Sequence, residues 1–334
     1  MKNILITGGG GFLGRNLIDF LIKYQNVNKI IVLDNFITSE KRTFIKFQQQ
    51  FEKNVLLYSY DITNSELVNF LIKDLKDQGI NTLDEIYHLA SLASPPFYKK
   101  YPIETLDVGY IGTKNMLELA KLYDSKILFA STSEVYGDAQ ISPQHENYYG
   151  NVNSFGARSC YDESKRVAEA LCYTYLTMYG VDVKVVRIFN TYGPHMLLND
   201  GRIITECIKH LMNKTTLTIY GDGNQTRSCC FAKDTVSMMT KLMGSYFNEP
   251  VNVGNNEERT INDTVKLVNK VWNKMYGLND TLDIQYVELT QNDPLQRKPC
   301  LQLNKQVLGI NNYTSFEDGI LQTIEYFKNH DSHK

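Results

Sequence analysis

The chain has 334 residues, 43% hydrophobic and 22% charged, with a formal net charge of -2. That length suffices for one large core or two lobes sharing a cleft, and the charge balance lacks the basic excess of a nucleic-acid binder. A strand-like run follows Met1-Lys2-Asn3 at once, no apolar stretch reaches membrane-spanning length, and the six cysteines show no metal-ligand spacing; a soluble cytoplasmic protein with free thiols and no metal site is expected.

The first element is the strand-like run Ile4-Leu5-Ile6, followed by Thr7-Gly8-Gly9-Gly10-Gly11-Phe12-Leu13-Gly14 and an amphipathic run from Asn16 to Tyr24. Glycines at 8, 11 and 14, set between a strand and a helix, give a tight turn, room for a pyrophosphate and close helix–sheet packing. The second run, Ile30 to Leu33, closes on Asp34. An acid about 20 residues beyond the glycines can hold a ribose 2′-hydroxyl and repel a 2′-phosphate, favouring NAD over NADP; the alternative is that it merely starts the Asp34-Asn35-Phe36 turn. Val55 to Tyr58 forms a third strand that leads to Asp61-Ile62, candidates for the adenine edge. In the helical stretch between Asn64 and Asp77, Leu67, Phe70, Leu71 and Leu75 fall on one face. Glu85 to His88 is the fourth strand, and Leu89 and Ser91 after it would flank the nicotinamide side.

A helical pattern from Thr105 to Tyr123 precedes the fifth strand, Ile127-Leu128-Phe129, which runs into Ser131-Thr132-Ser133-Glu134-Val135-Tyr136-Gly137. Hydroxyls after a strand often cap a helix or make a turn, yet open α/β sheets also keep their chemistry at that end. Tyr161 and Lys165 open a second long helical pattern, Asp162 to Tyr179, ahead of a sixth strand, Val183 to Val186. A spacing of four puts both on one helix face, where the ammonium can lower the phenol pKa and make it a proton acceptor. Beyond Asn190 come turns, short strands and further helices. Uninterrupted Val/Ile/Leu strands alternating with helices imply an α/β fold, a doubly wound parallel (Rossmann) sheet. Residues 1–190 would form the NAD-binding domain with the catalytic residues, and 191–330 a smaller C-terminal substrate lobe partly interwoven with it.

Taken together, the glycine loop, Asp34, the 131–137 cluster, Tyr161 with Lys165, and Arg187-Ile188-Phe189-Asn190-Thr191-Tyr192-Gly193-Pro194 resemble the extended short-chain dehydrogenase/reductases that modify nucleotide sugars. Within them the chain is most similar to the UDP-glucuronate decarboxylases. Further shared motifs are Ser94-Pro95-Pro96, Asn199-Asp200-Gly201-Arg202, Gln225-Thr226-Arg227, and Asp293-Pro294 with Arg297-Lys298-Pro299. Related 4,6-dehydratases place an Asp-Glu pair after the Thr and 4-epimerases generally lack the acid; Ser133-Glu134 matches the decarboxylases.

The resemblance implies NAD-dependent decarboxylation of UDP-glucuronate to UDP-xylose through a transient 4-keto sugar, the cofactor being recycled in the site; the alternatives are a nucleotide-sugar 4-epimerase or 4,6-dehydratase, or a noncatalytic NAD-binding protein. Tyr161, Lys165, Thr132, Ser133, Glu134 and Arg297 would be catalytic. The cofactor would be held by Gly8, Gly11, Phe12, Leu13, Gly14, Asp34, Asn35, Thr38, Asp61, Ile62, Leu89, Ser91 and Thr191, with Tyr161 and Lys165; the UDP-sugar by Asn190, Arg202, Tyr220, Gln225, Arg227 and Arg297. A homodimer is implied, made by pairing the two long helices into a four-helix bundle. Three positions depart from the family: Asp107 stands where a Lys is usual, Gly109 where an Asn is usual, and His195 in place of an Arg. An acid near a doubly anionic UDP is electrostatically awkward.

Overall fold

A computed structural model describes residues 1–288 and 296–331; the expected motif Asp293-Pro294 lies outside them. The central sheet has seven strands in the spatial order Val251–Val253, Val183–Ile188, Lys126–Thr132, Glu85–His88, Lys2–Thr7, Val27–Leu33, Val55–Tyr58. Every neighbouring pair in it is parallel. The apolar runs account for this: Ile4, Leu5, Ile6 and Ile30 to Leu33 are fully buried, as strands covered on both faces must be. Strand order reverses between Lys2–Thr7 and Glu85–His88, where Thr7 pairs with both Leu33 and His88. Ligand crevices of open α/β sheets form at such a switch point.

The six strands expected from sequence are present, and the seventh, Val251–Val253, returns from the C-terminal half to pair with Val183–Ile188. The helix Ala232–Met243 joins Phe12–Tyr24 against one face of the sheet. Leu67–Asp77, Thr113–Tyr123 and Ser159–Tyr179 cover the other. Leu67, Leu71 and Leu75 are buried as expected, but Phe70 is 39% exposed. It lies off the four-residue stripe, and instead stacks on Tyr60 with ring centroids 5.1 Å apart.

The second long pattern is a single helix, Ser159–Tyr179, ended by Gly180 at φ +71°. The first is broken: Pro102–Asp107 and Thr113–Tyr123 are joined by a π turn, Val108–Gly112. Beyond Asn190, the helices Ile203–Asn213, Ile261–Tyr276 and Phe316–Asp331 gather around Trp272, Ile320 and Phe231 as a separate core. Two small sheets, Leu217–Tyr220 with Ile284–Val287 and Thr226–Ser228 between Glu258–Thr260 and Gln296–Arg297, line the approach to the crevice.

Candidate active site

The crevice opens into one cavity of about 910 Å3, and every cofactor, catalytic and substrate residue expected from sequence lines it, as do Asp107 and His195. At its nucleotide end Gly8 has φ +68°, and a Cβ there would come within 2.9 Å of the Ala90 Cα. A Cβ on Gly14 would lie 2.4 Å from the Gly8 carbonyl oxygen. The Gly11 N–H donates to that same oxygen at 3.1 Å, and the helix starts at Phe12 with its first amides free of any side-chain cap. A turn this tight, at a helix N-terminus, suits a diphosphate, so the residues present fit a dinucleotide.

Asp34 does start the turn, accepting the Phe36 N–H at 2.8 Å, but its other oxygen accepts the Gly10 N–H at 2.9 Å and ties the strand end to the glycine loop. Burial raises its pKa despite those bonds. Asn35 donates to Asp61 at 3.0 Å, and Asp61 also accepts from the Thr63 N–H and hydroxyl. The Thr191 hydroxyl lies 3.0 Å from the Phe189 carbonyl and 3.2 Å from the Thr235 hydroxyl.

At the chemical end, Thr132 closes its strand and its Oγ1 accepts the Glu134 N–H at 3.3 Å, capping the short 3-10 turn Ser133–Tyr136. Capping and chemistry are therefore compatible here: Thr132 also draws the Tyr161 phenol pKa down. The Tyr161 ring is buried and stacked on Tyr98, centroids 5.2 Å apart and 13° from parallel. Lys165 is buried one turn later; its Nζ donates to the Ala130 carbonyl at 2.8 Å and lies 6.0 Å from the Tyr161 ring centre.

The simple expectation that the ammonium lowers the phenol pKa does not hold in this arrangement. Burial, with the Glu134 and Asp162 charges, pushes Tyr161 well up, only partly offset by Thr132 and Arg202. Desolvation likewise lowers Lys165 to about 7. Loss of hydration outweighs pairing because the ammonium faces a carbonyl rather than the phenol.

Glu134 is clamped by two arginines. Its Oε2 pairs with Nη2 of Arg158 and, at 3.2 Å, with Nη2 of Arg297, whose Nη1 also donates to the Ser133 carbonyl at 2.8 Å. Arg202 pairs with Asp200 and donates to the Thr191 carbonyl at 3.1 Å. Gln225 donates to the Tyr220 carbonyl at 2.6 Å, which braces the half-exposed Tyr220 at the rim.

The three departures have distinct surroundings. Asp107 lines the cavity beside Glu104. At Gly109 a Cβ would meet the Ser164 Cβ at 2.5 Å and the Ser164 carbonyl oxygen at 2.7 Å; an Asn would force the two helices apart. His195, at φ +69°, lies 3.1 Å from Asp19 through Nε2. Arg15 donates to its carbonyl at 2.9 Å, so a buried guanidinium lies against the position that lacks the family's Arg.

Sequence reasoning passed over Arg158, Tyr98, Asp162 and Arg15. Arg158 had a signal, because three- and four-residue steps carry it onto the face of Tyr161 and Asp162. Tyr98 had none, since only the fold brings it against Tyr161.

Comparison with known proteins follows the same lines. A family model described as GDP-mannose 4,6 dehydratase matches residues 5–320. The chain is 41% identical over 333 residues to UDP-glucuronic acid decarboxylase 1 of Danio rerio, covering 100% of this chain and 74% of that protein. It is 40% identical over 327 residues to UDP-glucuronic acid decarboxylase 3 of Arabidopsis thaliana, with 97% and 89% covered. Among solved structures, dTDP-glucose 4,6-dehydratase from Bacillus anthracis in complex with NAD superposes with a TM-score of 0.82 at 25% identity, covering 100% of this chain and 98% of that one.

Proposed function

Because the chain belongs to the UDP-glucuronic acid decarboxylase family, within the wider group that the GDP-mannose 4,6 dehydratase model describes, we propose that it converts UDP-glucuronate to UDP-xylose and carbon dioxide with NAD as its cofactor. The observation that carries this reading is the Thr132–Tyr161–Lys165 set and the doubly clamped Glu134 on the walls of the same cavity as the glycine cradle. NAD, when bound, supplies a reversible hydride acceptor that ends the cycle unchanged.

Gly8, Gly11, Phe12, Leu13 and Gly14 would hold its diphosphate, Asp34 and Asn35 its adenosine ribose with Thr38 nearby, Asp61 and Ile62 the adenine, and Leu89, Ser91 and Thr191 the nicotinamide side. Tyr161 takes the proton of the sugar C4 hydroxyl, with Thr132 hydrogen-bonding the same oxygen. Lys165, one turn along the helix with its Nζ on the Ala130 carbonyl, would hold the nicotinamide ribose. A C4 ketone stands β to the sugar carboxylate, so the electrons of the breaking C–C bond flow into an enolate as carbon dioxide leaves. Ser133 and Glu134 stand at the wall where C5 is then reprotonated, and Arg158 and Arg297 offer planar donors to the carboxylate. Asn190, Arg202, Tyr220, Gln225 and Arg227 would hold the UDP moiety.

On this reading residues 1–190 carry cofactor and chemistry and 191–330 mainly the nucleotide-sugar. Pairing of the helices Pro102–Tyr123 and Ser159–Tyr179 with those of a second copy would make a homodimer, supported by the apolar side chains they expose.

The test is mass spectrometry of the products formed from UDP-glucuronate by NAD-loaded protein. UDP-xylose with carbon dioxide and no net NADH is expected. A product of unchanged mass would indicate an epimerase, one lighter by water a dehydratase, and either would overturn the proposal.

A further inference from the structure

Asp162 follows Tyr161 in the first turn of the catalytic helix, and its side chain is buried with Oδ1 lacking any hydrogen-bond partner. Its Oδ2 lies 3.9 Å from Nε of Arg158, the arginine whose Nη2 is already engaged by Glu134. Two carboxylates, Glu134 and Asp162, therefore draw on the same pair of guanidinium groups, Arg158 and Arg297. With all four ionised the cluster is neutral, and an arriving anionic sugar finds no surplus positive charge.

The groups that face Asp162 come from every element around it. Glu134 stands on the turn after the catalytic strand; Arg158 at the N-cap of its own helix, with Cys160, Tyr161 and Glu163 within it; Tyr98 on the helix Pro95–Lys100; and Arg297 on the strand Gln296–Arg297. The Tyr98 hydroxyl is likewise buried without a partner. Unsatisfied buried polar atoms are costly and few in native proteins, so two beside one arginine mark a cluster that is completed by something entering it.

We propose that Asp162 is a positioning residue that takes up one proton from solvent when a carboxylate-bearing nucleotide sugar binds, releasing its share of Arg158 to the ligand. This rests on the UDP-glucuronate reading above. A neutral Asp162 gives the cluster one net positive charge, which the sugar carboxylate then balances, and keeps three anions from crowding one buried wall. The required proton is close at hand: burial, then the Glu134 charge, raises Asp162 to about 7 against the pull of Arg158 and Arg297.

Above about pH 7 free Asp162 is ionised, binding must draw a proton, and affinity for an anionic sugar falls as pH rises, by up to about tenfold per pH unit. Below that the proton is already in place and affinity levels off. UDP-glucose, with the same diphosphate and no carboxylate, imposes no such demand.

The experiment is titration calorimetry at about pH 8, in two buffers of different ionisation heat, using NAD-loaded Tyr161→Phe protein so that no turnover occurs. Uptake approaching one proton per UDP-glucuronate, and none per UDP-glucose, is expected. Adding Asp162→Asn should abolish the uptake and flatten the pH dependence of UDP-glucuronate affinity. Equal uptake with both sugars, or uptake that survives Asp162→Asn, overturns the proposal; the two-sugar comparison decides it even if that variant folds poorly. Failure of the wild type to decarboxylate UDP-glucuronate would instead overturn the functional reading. Turnover without sugar-specific uptake overturns only the role of Asp162.

Discussion

His88 lies fully buried between two hydroxyls, with Nδ1 2.7 Å from Thr7 Oγ1 and Nε2 3.0 Å from Thr113 Oγ1. A neutral imidazole offers one donor and one acceptor, and burial, with the Lys165 charge, lowers its pKa to about 3. An unfolded chain would bind that proton near pH 6.5, so folding stability is lost as pH falls below about 6.5, at about 1.4 kcal/mol per unit. Asp162 works the other way: its folded pKa of about 7 exceeds the ordinary 3.8, so its contribution is present at low pH and is lost as pH rises through the same window. In the wild type these two slopes oppose each other between about pH 4.5 and 6.5. Urea unfolding of Asp162→Asn should therefore become steeply acid-sensitive there, whereas His88→Gln should gain stability on acidification. Midpoints of both variants running parallel to the wild type across that window would refute the assignment. None of this was legible in the sequence, where His88 is only the last residue of a strand and Asp162 one acid in Asp162-Glu163.

Gly109 decides how the helix Pro102–Tyr123 meets the catalytic helix. It lies in the π turn Val108–Gly112, and its missing side chain lets Ser164 approach to a distance that no Cβ tolerates. Gly109→Ala should separate the helices or strain the turn, costing about 1–3 kcal/mol by overpacking. A lowered melting temperature with weakened turnover is expected, because Ser164 directly precedes Lys165. An unchanged melting temperature would show that the contact is soft. The strands and the C-terminal end of the catalytic helix were legible because each carries its own period or punctuation, such as the Val/Ile runs and Gly180. The π turn was not, since the stretch from Thr105 to Tyr123 reads as one helical pattern. Val251–Val253 was not either: three residues are too few to establish a period, and that strand exists because it pairs with Val183–Ile188. Residues on strand ends and the glycine loop could be foreseen as one site, whereas Tyr98 depends on how helices converge.

Across the whole molecule the two sequence halves are tied through Asn252. Its side chain accepts the Tyr136 hydroxyl at 2.8 Å and donates to the carbonyls of Gln144 and Cys300, while its carbonyl accepts from Asn304 at 2.9 Å. That network joins the turn below Glu134 to the C-terminal segment. The surface left over is uneven. Tyr110 is 48% exposed, Tyr173 69% and Met178 70%, with Ile103, Leu106, Ile111 and Val167 also exposed on the same two helices. Large apolar side chains gathered on adjacent helices favour burial against a partner, and a two-fold pairing would bring Pro102–Tyr123 and Ser159–Tyr179 together with their copies. Sedimentation of the wild type should then give twice the 38.4 kDa chain mass. Replacing Tyr110 and Val167 together by Lys should give single chains, because four ammonium groups would be desolvated in one interface. A wild type that sediments as one chain at micromolar concentration would remove the dimer from the proposal, and a double variant that remains paired would place the interface on another face.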